Sequence, residues 1–152
     1  MKKVLFASLL FGFSLNLFSQ QLQSQEPPKG ASITIGVLEG GGSLIGIDIE
    51  KLIAPKLGLQ MGVGLVGFGA GINFHFQPSI NSSYMSLQYW NQGIGASHTQ
   101  SLIGANYVYR GKRWFTAQIG LGVPLDKGPA WPTSMTQPPI MLTYAIGAYF
   151  PI

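Results

Sequence analysis

Apolar and polar residues alternate along most of the chain beyond residue 30. In the clearest stretch every second residue is apolar, at Leu57, Leu59, Met61, Val63 and Leu65. Because successive side chains of a strand point to opposite faces, this period of two predicts a β-strand with one apolar face. Segment 68–76 alternates with its parity shifted by one, as a two-residue turn at 66–67 requires. Such a turn pairs residue 65 with residue 68 and keeps both apolar sets on one face.

The same alternation recurs along the chain and predicts eight strands, at 31–38, 44–51, 57–65, 68–76, 83–91, 100–110, 113–123 and 140–150. Most have the length that a tilted transmembrane strand needs, about 9–11 residues. A tight turn at 111–113 is expected to pair Tyr109 with Phe115. An alternative for 57–76 is a glycine-rich transmembrane helix, since this stretch is uncharged. Helical wrapping would scatter the alternating residues around the helix, which favours strands.

The second face of these strands indicates what surrounds the sheet. Its residues are mostly Gly, Ser, Thr, Asn and Gln, and only 9% of the chain is charged, against about 25% in an average soluble domain. We therefore expect the apolar face to contact lipid and the small polar face to line a crowded interior. In hydrocarbon only a closed sheet satisfies its backbone hydrogen bonds. The prediction is an all-β, eight-stranded antiparallel up-and-down transmembrane barrel with a filled lumen and no open pore.

The opposite assignment of the two faces describes a different class of protein. With the apolar set inside and Gly, Asn and Gln outside, the chain would be a soluble exported, lipocalin-like carrier of a small apolar ligand. The alternation alone is compatible with this alternative.

The first 30 residues differ from the rest of the chain. Lys2 and Lys3 precede an uncharged apolar run, 4–17, that is too short to span a membrane and is followed by Ser19. This is the pattern of a secretory signal peptide, residues 1–19. Residues 20–30 are polar and are expected to form a flexible linker, with the barrel domain at 31–152. Loss of the two lysines lowers the formal net charge from +4 to +2, so we expect no nucleic-acid partner.

Together these features resemble the small eight-stranded outer-membrane β-barrels of the OmpA/OmpX class, across most of residues 31–152. The resemblance depends on the signal peptide, the eight alternating segments and the aromatic residues of the last strand, 142–150. In that class the final strand usually ends in an aromatic residue, whereas here Pro151 and Ile152 follow Phe150. The resemblance implies an outer-membrane location and no particular activity.

A periplasmic N-terminus would place the connections at 52–55, 78–82 and 111–113 in the periplasm and those at 39–43, 66–67, 92–99 and 124–139 outside. Six aromatic residues of the lipid-facing set then fall near the periplasmic end: Phe74, Phe76, Tyr107, Tyr109, Phe115 and Phe150. They predict the aromatic girdle that is typical of a membrane interface.

Parity places four ionisable side chains in the lumen: Asp48, Glu50, His75 and Arg110. Acidic and imidazole groups that lie close together can bind a metal or act as acid and base. Charges in a dry interior must be paired, however, and no nucleophile accompanies these four. We therefore interpret them as a salt-bridged lumen cluster and expect no metal and no cofactor.

Two features near the outer rim suggest interactions. His98 and Ser101 lie three residues apart, and lipid A deacylases are eight-stranded barrels with an exposed Ser/His pair, so an outer-membrane lipid-modifying hydrolase is the alternative function. Segment 124–139 contains five prolines and Trp131, a candidate binding anchor. The leading hypothesis is a non-enzymatic outer-membrane barrel with a structural or surface-interaction role. Its expected partners are outer-membrane lipid and a surface or periplasmic protein.

Overall fold

The alternating segments form one closed sheet. The computed structural model describes residues 30–152, so the predicted signal peptide, 1–19, and almost all of the linker lie outside the described residues. The eight strands are β1 (Ala31–Val37), β2 (Gly46–Ala54), β3 (Leu57–Gly64), β4 (Gly67–His75), β5 (Tyr84–Gln92), β6 (Gln100–Arg110), β7 (Phe115–Lys127) and β8 (Met141–Pro151). Short helical turns occur at Glu39–Gly42 and Gly95–Ser97. Within residues 30–152, no helix is long and apolar enough to cross a membrane.

Each strand pairs antiparallel with its sequence neighbours, and β1 also pairs with β8, where Ile33 lies opposite Phe150. The predicted closed up-and-down barrel of eight antiparallel strands is therefore confirmed. The alternative of a transmembrane helix over 57–76 is wrong, because this stretch forms the β3–β4 hairpin. We call the end of the barrel that carries the β2–β3, β4–β5 and β6–β7 connections the turn end.

Burial follows the alternation, with the polar set inside. In β2, Ile47 and Ile49 are exposed whereas Asp48 and Glu50 are buried. In β3, Met61 is 72% exposed, and its neighbours Gln60 and Gly62 are buried. The lipocalin-like alternative requires the reverse arrangement and is wrong on this point.

Two hairpins differ in register from the sequence-based expectation, each by two residues. In β3–β4, Val63 rather than residue 65 lies opposite Phe68, and the turn is at 65–66. Gly64 and Gly67, which flank this turn, pack against Ser43, so a side chain at either position would overlap it. In β6–β7, Tyr109 lies opposite Ala117 instead of Phe115. A shift of two residues preserves the faces, so the inward and outward sets are unchanged.

Strands β2 and β7 also extend beyond their predicted bounds. β2 begins at Gly46 instead of residue 44 and continues to Ala54, with a register irregularity after Leu52. β7 continues to Lys127, so the last connection is 128–140 and not 124–139. Because β8 pairs with β7 only as far as Gly122, the final residues of β7 pair with β6 alone.

Residues 38–43, which we call the plug, fold into the barrel at the end opposite the turn end. This connection lies at the end of the barrel where the sequence analysis placed it, opposite 52–55, but it turns into the lumen, which the alternation did not predict. Leu38 and Gly40 have φ of 61° and 62°, and a Cβ on Gly40 would overlap the carbonyl oxygen of Val63. The amide of Gly40 donates to Oδ2 of Asp48 at 2.7 Å. Glycine fits here because it has no Cβ and tolerates a positive φ. We call this end the plug end.

Replacing Gly40 with alanine should destabilise the barrel more than the same change at Gly95. Both have nearly the same backbone, with φ of 62° and 59°, but nothing lies within 4 Å of a Cβ at Gly95. The left-handed conformation costs either alanine about 1–2 kcal/mol. Overlap with Val63 should cost roughly 1–3 kcal/mol more at Gly40 alone. Urea unfolding in detergent, followed by circular dichroism, measures both losses, and equal losses would contradict a packed plug.

Candidate functional site

A buried ion-pair network lies in the lumen near the turn end. Oε2 of Glu50 accepts a hydrogen bond from Nη2 of Arg110 at 2.7 Å, and Oε1 of Glu50 lies 2.8 Å from Nε2 of His75. Asn73 donates from Nδ2 to the same Oε1 at 2.5 Å and to Oε1 of Gln60 at 2.9 Å. Glu50, His75 and Arg110 are 2%, 3% and 5% exposed. The structure thus brings together three of the four ionisable residues that parity placed inside the barrel.

The guanidinium of Arg110 is enclosed by aromatic rings and oxygen acceptors. It lies 5.1 Å from the ring centroid of Tyr84 and 4.7 Å from that of Tyr149, distances at which a cation and a ring attract each other. Nη2 also donates to Oγ of Ser32 at 2.9 Å, and Nη1 donates to the carbonyl of Ile80. Among residues 30–152, Nε of Arg110 is the one buried side-chain nitrogen or oxygen that lacks a hydrogen-bond partner.

Asp48 does not belong to this network, which corrects the predicted four-residue cluster. It faces the same lumen as Glu50 but lies two residues farther along β2, roughly 7 Å away at the rise of a strand. Its carboxylate lies against the plug, where it accepts a hydrogen bond from the amide of Gly40, and the Glu39 side chain is buried close by. Asp48 therefore anchors the plug to the barrel wall.

The ion-pair network is arranged to stabilise the barrel and not to catalyse a reaction. Both oxygens of the Glu50 carboxylate are engaged by protein groups, and Nδ1 of His75 lies 3.1 Å from the carbonyl oxygen of Ser82. A general base must come within reach of a substrate, and both side chains are buried among protein groups that already bond to them. Within the described part of the chain, no three His, Asp or Glu residues are grouped as a metal site.

A second polar layer crosses the middle of the lumen. Nε2 of Gln88 donates to Oε1 of Gln118 at 3.1 Å, while Oε1 of Gln88 accepts the indole N–H of Trp90 at 2.8 Å. Asn106 links Gln88 to Thr143 across the interior. Between this layer and the plug, a recess of about 170 Å³ is lined by residues that include Leu38, Trp90 and Leu102. Ligand pockets usually measure about 300–1,000 Å³, so this recess is too small for a typical ligand.

His98 and Ser101 lie close together at the plug end but do not form a catalytic pair. Nε2 of His98 lies 3.2 Å from Oδ2 of Asp126, and Oδ1 of Asp126 accepts the backbone amide of Ser101 at 2.7 Å. Oγ of Ser101 is instead within hydrogen-bond distance of Tyr89 and Asn91, and Ser101 is 4% exposed. A serine nucleophile needs a base on its hydroxyl group. Here the acid lies between the histidine and the serine.

Trp131, the candidate anchor, lies in the 128–140 connection at the plug end. Its indole N–H donates to the carbonyl of Met135 at 3.0 Å, so the ring is half-buried against its own loop. Gln137 ties the same loop to the barrel, because its Nε2 donates to Oε1 of Gln100 at 3.0 Å.

The six predicted girdle aromatics, Phe74, Phe76, Tyr107, Tyr109, Phe115 and Phe150, all point outward near the turn end. Their rings form neighbouring pairs, with centroids 6.1 Å apart for Phe76 and Tyr107 and 6.4 Å apart for Tyr109 and Phe115. Trp114, which the sequence analysis did not include, is 57% exposed and extends this band by an edge-on contact with Phe115.

The lumen residues that the sequence analysis missed include Glu39, Tyr84 and Tyr149, which lie beside the predicted ionisable residues. Tyr84 and Tyr149 could have been found from parity, since each lies one position from an outward-facing residue, Met85 and Phe150. Glu39 had no such signal, because it lies in a connection that turns inward.

No known relative supplies a function for this arrangement. No protein-family model matches the chain, no curated protein matches its sequence, and no solved structure matches it. The assignment of function therefore depends on the geometry of the barrel itself.

Breaking the ion-pair network should unfold the barrel at lower temperature. Glu50→Ala or Arg110→Ala alone should each cost about 3–5 kcal/mol, because each leaves a buried charge without its partner. The double variant Glu50→Leu/Arg110→Met should lose less than the sum, since both charges are gone. Thermal unfolding in detergent measures the losses, with Lys112→Ala, an exposed cation in the adjacent turn, as control. Additive losses of stability would contradict the conclusion that Glu50 and Arg110 stabilise the barrel as a pair.

Glu39→Gln should stabilise the barrel at neutral pH. Burial, and then the neighbouring Asp48 carboxylate, raise the pKa of the Glu39 carboxyl group, so folding at neutral pH must either bury a second negative charge or take up a proton, and both cost free energy. Glutamine has nearly the same shape and does not ionise, so the plug can stay in place without that cost. The midpoint of thermal unfolding is the measurement, with Lys127→Gln at the exposed rim as control. A lower midpoint for Glu39→Gln would show that the charge on Glu39 is favourable.

Proposed function

We propose that this protein is an integral outer-membrane β-barrel with a structural or surface-interaction role and a lumen closed to solutes. The observation that supports this proposal is the inverted distribution of side chains. Large apolar residues are exposed on every strand, for example at Ile35, Ile47, Met61, Phe68, Leu87, Ile103, Leu121 and Leu142. The buried residues are mainly polar or charged.

Such a surface is costly in water. Soluble monomers rarely expose a contiguous apolar patch larger than a few hundred Å². On this barrel the apolar side chains surround all eight strands, and closure through β1 and β8 leaves no unpaired sheet edge. Both properties are what hydrocarbon demands of a β-structure that spans a bilayer.

The filled lumen argues against a role in solute passage. The network around Glu50, the amide layer around Gln88 and the plug follow one another along the interior. An eight-stranded barrel leaves an interior that side chains can fill. We therefore expect the barrel to present its surface and loops to partners, and the 128–140 connection is the longest segment outside the strands in residues 30–152.

The hydrolase alternative is not favoured by any contact in the structure. Oγ of Ser101 has neutral partners, and Asp126 separates it from His98. We therefore propose a non-enzymatic role for the protein. We also propose that its N-terminal segment, residues 1–19, directs its export.

Refolding into bilayers tests the proposal directly. In detergent, the protein should migrate faster on a gel before boiling than after, because the closed barrel is compact and resists the gel detergent. In vesicles, the strands should be protected from protease, and planar bilayers should show no steady conductance. In cells, the full chain should fractionate with outer membranes. A protein that stays in the aqueous phase with no detergent would contradict membrane insertion, whereas a stable conductance would contradict only the closed lumen.

Shortening the last connection should leave the barrel intact. Deleting 130–136 leaves six residues between Lys127 and Met141, which span at most about 24 Å. This exceeds the offset of roughly 17 Å produced by the extra residues of β7. The shortened protein should keep its heat-dependent gel shift, and a surface partner found by crosslinking should be lost. Failure to insert would show that this connection is required for barrel formation.

A further inference from the structure

Exposed charge is segregated between the two ends of the barrel. Among the described residues, six charged side chains are exposed: Lys51, Lys56, Lys112, Arg113, Asp126 and Lys127. The first four lie near the turn end and all are basic. The other two lie at the plug end and have opposite signs, so they largely cancel.

Among residues 30–152, no exposed acidic side chain neutralises the positive charge at the turn end. Glu50 is buried in the lumen, where it already pairs with Arg110, while Glu39 and Asp48 lie under the plug. A carboxylate at Ile152 would offset one of the four cations and leave an excess of positive charge. This surface therefore presents a net positive charge that an anionic partner can neutralise.

The four cations lie beside the band of exposed aromatic residues. Trp114 directly follows Arg113 and contacts Phe115 with ring centroids 6.2 Å apart. Lys51 points outward from β2 between Ile49 and Ile53, so its apolar stem can lie along the barrel while its ammonium group reaches toward the turn end. Aromatic rings with cations beyond them are typical of the depth at which lipid headgroups begin.

We propose that Lys51, Lys56, Lys112, Arg113 and Trp114 form a binding surface for anionic phospholipid headgroups in the leaflet at the turn end. This inference rests on the proposed membrane function. Lys and Arg bind phosphate oxygens through charge-assisted hydrogen bonds, and a negative membrane surface attracts such clusters. The near-neutral plug end offers no comparable surface, so the preference for anionic lipid is confined to one leaflet.

Tryptophan quenching by brominated lipids tests this inference at both ends of the same protein. The Trp131→Phe variant reports the turn end through Trp114, and the Trp114→Phe variant reports the plug end through Trp131. Trp90, which is 7% exposed in the lumen, supplies an unquenched baseline in both. Each protein is refolded into phosphatidylcholine vesicles that contain brominated phosphatidylglycerol or brominated phosphatidylcholine as the only quencher.

Brominated phosphatidylglycerol should quench Trp114 in preference to brominated phosphatidylcholine, with a relative association of roughly fivefold. The preference should fall to near one in high salt and in the variant Lys51→Gln/Lys56→Gln/Lys112→Gln/Arg113→Gln. The matched control, Lys127→Gln, should keep it. Trp131 should show no preference.

The outcomes separate this inference from the proposed function. Equal quenching of Trp114 by both lipids would show that the barrel is inserted but lacks an anionic lipid site, which would leave an acidic soluble partner for the basic surface. No quenching by either lipid would overturn both proposals. A preference that persists in the quadruple variant would assign the lipid contact to other residues. If the quadruple variant does not refold, the salt titration of the Trp131→Phe protein still distinguishes these outcomes, since a preference that survives high salt would contradict binding by the four cations.

Discussion

The antiparallel pairing of β1 with β8 removes the two free edges that an open sheet of eight strands would expose. In hydrocarbon no water can replace a missing hydrogen-bond partner. Each unpaired backbone amide or carbonyl group there costs on the order of several kcal/mol, as any buried unpaired polar group does. Since the outer surface of this sheet is apolar on every strand, an edge would be costly along its whole length. In a bilayer, closure is therefore required by the composition of the outward face, and with eight strands it leaves an interior narrow enough for side chains to fill.

That narrow interior explains the distribution of small and polar residues. Where a strand passes the plug, its inward positions are glycines, such as Gly62 and Gly64, and a Cβ at either position would overlap Asp48 or Ser43. Where no loop enters, longer side chains reach across the lumen: Gln88 bonds to Gln118, and Arg110 bonds to Glu50. The polar groups are buried because the barrel is filled, and they are tolerated because they are paired.

Strands, faces and closure could be predicted because they depend on local alternation. The alternation of Asp48 and Glu50 with Ile47 and Ile49 is enough to assign each side chain to the lumen or the outer surface. The register of the hairpins was harder to predict from the sequence, because a shift of two residues leaves every side chain on the same face. The position of Val63 opposite Phe68 depends on contacts of Gly64 and Gly67 with Ser43, which is distant in sequence.

The plug and the extent of the ion-pair network could not be predicted for a related reason. Three consecutive glycines are as suitable for a solvent-exposed turn as for a loop packed against backbone, and only the three-dimensional lumen distinguishes the two. Parity assigned Asp48 and Glu50 to the same face. Because they lie at different heights along β2, however, Asp48 contacts the plug and Glu50 contacts Arg110. The aromatic cage of Tyr84 and Tyr149 is a property of closure, because β5 and β8 are not neighbours in the sheet.

The Arg110 network has a kinetic consequence. The bonds of Arg110 join β6 to Ser32 of β1 and Glu50 of β2, which are not neighbours of β6 in the sheet, so these bonds cross the lumen. Hairpins can form one after another along the chain, but these bonds require the cylinder to be complete. Interactions that are absent from the folding transition state slow unfolding and leave the rate of folding nearly unchanged. The network is therefore expected to slow the unfolding of the assembled barrel while leaving its rate of folding nearly unchanged.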